Sequence, residues 1–77
     1  MHELAIIEGV LDIVTERLPD TAISCVRLEV GELSGVVPDS LQFCFELATE
    51  GTSLQGASLE ITQTPGHDLK ISSVKVA

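Results

Sequence analysis

The chain opens Met1-His2-Glu3, and these three residues offer a divalent metal a compact set of donors. The Met1 amine, the His2 backbone nitrogen and the His2 imidazole close successive chelate rings with almost no chain to order. Glu3 can add a fourth donor, its backbone nitrogen or its carboxylate. An all-nitrogen, planar set suits Ni(II) or Cu(II). Binding releases protons from the amine, the imidazole and any amide used, so affinity should fall as pH drops. A helix beginning here would help, because its positive pole disfavours a protonated amine. The alternative is a solvated terminus that binds nothing, since chain ends usually fray.

The other reactive residues form no comparable set. His67 lies in TPGHD and reads as a solvated turn histidine. Cys25 and Cys44 make no C-x-x-C pair, so the chain has no zinc signature of its own. Both read as inert thiols. Cys25 falls on the polar parity of its segment, which leaves open exposure or a second packed face. Glu29 and Glu32 flank Gly31 and read as surface. There is no G-x-x-x-x-G-K-[ST], which excludes nucleotide hydrolysis by that route. No catalytic residues are expected, and the chain does not read as an enzyme.

Charge narrows the partners. Four basic residues stand against twelve acidic ones in 77, a net charge of −8. Nucleic acid and anionic membrane surfaces need a basic face, so neither is expected. A cation or a basic protein suits this chain better. No apolar run approaches a membrane span. The start is acidic and amphipathic, unlike a signal peptide. The expected compartment is the cytoplasm, which also fits reduced cysteines.

Hydrophobic spacing places the elements that must carry the opening residues. Leu4, Ile7, Leu11, Val14 and Leu18 recur at three and four, widened by Ile6, Val10 and Ile13, which predicts a helix over 2–18. Glu3, Glu8, Asp12 and Glu16 take its polar side, and Pro19-Asp20 stops it. ISCVRLEVG alternates and predicts a strand with Val26, Leu28 and Val30 inward. ELSGVVP is a loop. PDSLQFCFELATEG predicts a second helix, with an Asp39/Gln42 capping box, Leu41, Cys44, Phe45 and Ala48 on its apolar face, and Gly51 as terminator. ASLEITQ is a second strand with Leu59 and Ile61 inward. TPGHD reads as a short reverse turn. LKISSVKVA is a third strand whose parity slips, so a bulge is expected at Ser72-Ser73. The sum is an α+β domain, a small three-stranded sheet with two helices in the order α-β-α-β-β.

MHELAIIEGVLDIV, the GELSGVVP loop, F-x-F-E at 43–46 and the closing GHDLKISSVKVA resemble the hydrogenase-maturation nickel metallochaperones of the HypA/HybF family. The resemblance covers nearly the whole chain. It implies a single nickel-binding domain over 1–77, with Ni(II) held by the residues matching Met1, His2 and Glu3. It implies hand-over with a HypB-like GTPase to a nickel–iron hydrogenase large subunit and, in some organisms, to urease maturation proteins. The family's zinc ribbon, expected between about 64 and 67, is absent, so no zinc is expected. Some members carry an aspartate where this chain has Val37. Asp39 is out of register with that position and is not assigned as a ligand. The domain is expected as a monomer or a strand-swapped dimer, since short hinges invite exchange. The competing expectation is a metal-free protein–protein interaction module.

Overall fold

The computed structural model describes residues 2–77. Its elements are α1 (Glu3–Arg17), β1 (Ile23–Gly31), α2 (Pro38–Thr49), β2 (Ser58–Thr64) and β3 (Leu69–Val76), in the expected α-β-α-β-β order. The strands lie in the order β2-β1-β3. β1 is parallel to β2 and antiparallel to β3. A parallel pair needs a long crossover, and α2 lies within it. β1 takes the centre because it carries the densest apolar set, with Val26, Leu28 and Val30 all buried. Those three meet Ile7, Val10 and Val14 of α1, Leu41 and Phe45 of α2, and Leu59 of β2 in one cluster.

The predicted stripe of α1 is narrower than expected. Ile7, Val10 and Val14 are buried, but Leu4 and Ile13 are about half exposed. At about 100° per residue these two fall on opposite margins of the stripe. Gly9 has nothing within 4 Å of where a Cβ would stand. Gly9→Ala should therefore stabilise the protein by about 0.5–1 kcal/mol, read as a raised denaturation midpoint.

The predicted capping box does not form. Pro38 opens α2 at its first turn, which makes Val37, not Asp39, the cap residue. Gln42 instead donates to the Leu59 carbonyl at 2.7 Å, tying α2 to β2. Gly51 follows the C-cap with φ +75, as a terminating glycine should. The segment between α2 and β2 hides a core residue that periodicity missed. Leu54 is fully buried, and the Ser53 carbonyl accepts the Ile23 N–H at 3.1 Å. Leu54→Ala should cost about 2–5 kcal/mol in chemical denaturation.

The expected bulge is present. Arg27 pairs with Ser73 and Leu28 with Ile71, so Ser72 is the extra residue. TPGHD is not the reverse turn of a hairpin. β2 and β3 flank β1, so residues 65–68 must pass over the end of β1. Three bonds pin this crossing. Gly31 N–H donates to the Asp68 carbonyl at 2.7 Å, Glu32 N–H to Thr64 at 2.7 Å, and Leu33 N–H to Gly66 at 2.8 Å.

Candidate metal site

His2 is the N-cap residue of α1, with φ −82 and ψ 49. Its carbonyl accepts the Ile6 N–H at 3.0 Å, the first rung of the helix. Its imidazole makes no capping hydrogen bond and is exposed. The amides of His2 and Glu3 precede that ladder, so neither is needed as a helical donor. A metal could take either nitrogen without breaking a turn. Met1, the first of the predicted donors, lies outside the described residues.

Glu3 does not lie on the solvent side where its charge suggested. It is only 5 % exposed. Glu3, Ile7, Val10 and Val14 follow one another at four, three and four, so Glu3 shares the phase of the buried stripe. That spacing was visible in the sequence; the acidic side chain concealed it. The burial is satisfied by a bond across the fold. Val37 N–H donates to Glu3 Oε2 at 3.0 Å, which ties the start of α1 to the start of α2.

The Glu3 carboxyl is drawn from 4.5 down to about 2, first by the positive amino terminus and then by the Val37 N–H. A carboxyl with a lowered folded value stabilises the fold above its unfolded pKa. In the metal-free protein this contribution should be complete above about pH 4.5 and vanish as pH falls toward about 2. Glu3→Gln should therefore melt below wild type at neutral pH, and the gap should close in acid.

The loop of residues 32–37 thus ends beside the start of α1. It brings a main-chain N–H there, while the Val37 side chain stays about half exposed. Asp39 shares a shallow cleft with Glu3, Leu4, Ser40, Phe43 and Cys44. His67 lies at the crossing over β1, with Nδ1 3.1 Å from the Leu33 carbonyl, which can only accept. Cys25 is buried on β1 and Cys44 half-buried on α2, both as free thiols. The Glu60 carboxyl nearby is lowered chiefly by the Arg27 guanidinium at 2.8 Å, and Cys25 itself is only 6 % exposed. So Cys25 takes the packed alternative. Among the described residues, no three His, Cys, Asp or Glu side chains gather closely enough to hold a metal. The donor set at the chain start is of another kind, since it relies on main-chain nitrogen. No helix among the described residues is long and apolar enough to cross a membrane.

Comparison with known proteins settles the family. Residues 1–73 match the family model described as hydrogenase/urease nickel incorporation, metallochaperone, hypA. The chain belongs to the HypA family. HypA-family relatives named hydrogenase maturation factor HypA include one from a Nostoc species, 46 % identical over 66 residues. Another, from Streptomyces avermitilis, is 51 % identical over 71 residues. The matches cover 86 % and 87 % of this chain but 58 % and 54 % of those relatives. The chain thus spans little more than half their length. The solution structure of the Ni metallochaperone HypA from Helicobacter pylori superposes with a TM-score of 0.81, covering 99 % of this chain and 97 % of that one. At 14 % identity that likeness is one of fold. The HypA family is one of metallochaperones and maturation factors, not of catalysts.

Proposed function

We propose that this chain holds Ni(II) at its amino terminus and hands it on for nickel–iron hydrogenase maturation. The donors are the Met1 amine, the His2 amide and imidazole, and Glu3. One observation supports this most. The His2 imidazole stands exposed and uncommitted at the head of α1, in a chain whose family incorporates nickel. For Glu3 we assign the backbone nitrogen as the fourth donor. Its carboxylate is engaged by Val37 N–H, which ties that group to the start of α2.

Residues 1–77 act in this proposal as one nickel-binding domain without a zinc ribbon. The mechanism is hold and release. A planar site leaves its axial directions open, so a receiving ligand can attack without unfolding the domain. The partners are a HypB-like GTPase, the hydrogenase large subunit and, in some organisms, urease maturation proteins, all met in the cytoplasm.

Titration of Ni(II) into the untagged chain, followed by visible absorption, tests the site. Planar low-spin nickel should appear, and acetylation of the amine should abolish it. A metal-free interaction module, the competing function, predicts the same weak response before and after acetylation.

A further inference from the structure

We propose that the outer seam between α1 and α2 docks a cationic amphipathic segment of a partner protein. Two shallow clefts run along this seam. One is lined by Glu3, Leu4, Asp39, Ser40, Phe43 and Cys44. The other is lined by Leu4, Glu8, Leu11, Asp12, Leu47 and Ala48. Leu4 belongs to both, so they form one continuous groove.

Its apolar side chains are unusually open. Phe43 is 63 % exposed, Leu47 52 % and Leu4 50 %. Phe43 is one of only two aromatic residues in the chain, and the other, Phe45, is buried. Phe43 lies off the stripe that turns Leu41 and Phe45 inward, so α2 presents it to solvent. Large apolar side chains grouped on a small surface usually mark an interaction site.

Charge selects the occupant. Glu8, Asp12 and Asp39 border the groove, and none of the chain's four basic residues lines it. Arg27 and Lys70 are paired elsewhere, with Glu60 and Glu29. An apolar floor with an acidic rim fits a helix whose leucine-like side chains recur each turn and whose flanks carry Lys or Arg. The inference does not depend on nickel binding. One end of the groove reaches Glu3, so a docked segment would lie next to the chain start.

The probe is a synthetic helical peptide of about 14 residues, with Leu at i, i+3 and i+7 and Lys between them. Binding to the full chain is read by fluorescence anisotropy and mapped by amide NMR. Shifts should concentrate on α1 and α2. Phe43→Ser and Leu47→Ser should each weaken binding about tenfold, and Asp12→Lys should weaken it at low salt. Val76→Ser, an exposed apolar residue on β3, should leave it unchanged. Circular dichroism confirms that each variant is folded. The proposal is overturned if both serine variants bind as wild type, or if a Glu-for-Lys peptide binds equally well. It is overturned too if sedimentation shows a second copy of this chain occupying the groove through Phe43.

Discussion

His2→Ala should weaken Ni(II) binding by about a hundredfold or more, which is about 2.7 kcal/mol. The imidazole is the only side-chain nitrogen donor in the proposed set. Its removal opens one chelate ring and replaces nitrogen with water. The fold should hardly notice, because the side chain is exposed and caps nothing. A stability change within about 0.5 kcal/mol is expected for such a site. Metal uptake and melting temperature must therefore separate. Glu3→Gln supplies the opposite control. It removes the carboxylate charge but keeps the amide, so nickel should still bind within a few-fold of wild type while thermal stability falls. If His2→Ala takes up nickel as the wild type does, the chain start is not the site. If Glu3→Gln loses nickel as completely as His2→Ala, the carboxylate is the donor and the assignment of the amide is wrong.

Gly31→Ala should destabilise the domain by about 3 kcal/mol or more. The short link between β2 and β3 crosses directly over the end of β1. A Cβ at Gly31 would stand 2.4 Å from the Gly66 oxygen, 2.8 Å from its carbonyl carbon and 2.9 Å from the Asp68 nitrogen. All three are backbone atoms, so no side chain can swing aside. The crossing must lift, and the bonds from Gly31, Glu32 and Leu33 would stretch together. Overpacking alone costs about 1–3 kcal/mol. Each buried polar group left without a partner adds about 1 kcal/mol or more. The link spans two strand spacings, about 10 Å, and is held down on the end of β1 by its backbone bonds rather than by its length. Denaturant unfolding measures the loss, with Gly9→Ala as the glycine substitution that should stabilise. Strand exchange is a second readout. If lifting the crossing frees β3, sedimentation should show dimers at concentrations where the wild type is monomeric. An unchanged unfolding midpoint in Gly31→Ala would show that the crossing can move freely.

Five elements in order, the inward residues of β1 and the bulge at Ser72 were legible from spacing alone. These features depend on neighbours a few residues apart, and the 3.6 and 2.0 periods record such neighbours directly. The proposed donors at the chain start were read in the same local way, because chelation by consecutive residues needs no distant segment. Leu54 escaped because a single apolar residue in a turn-rich segment has no period. The box expected at Asp39 failed because α2 starts at Pro38 with Val37 as its cap, two residues earlier than that box requires.

Glu3 marks the boundary between the two kinds of information. The sequence by itself determined that a carboxylate stands beside His2 at the head of a helix. Only tertiary structure decided that this carboxylate is buried and bound to Val37, thirty-four residues away. Strand order and the passage of residues 65–68 over Gly31 were decided the same way. Each depends on which distant segment arrives, and long-range packing leaves no periodic trace along the chain.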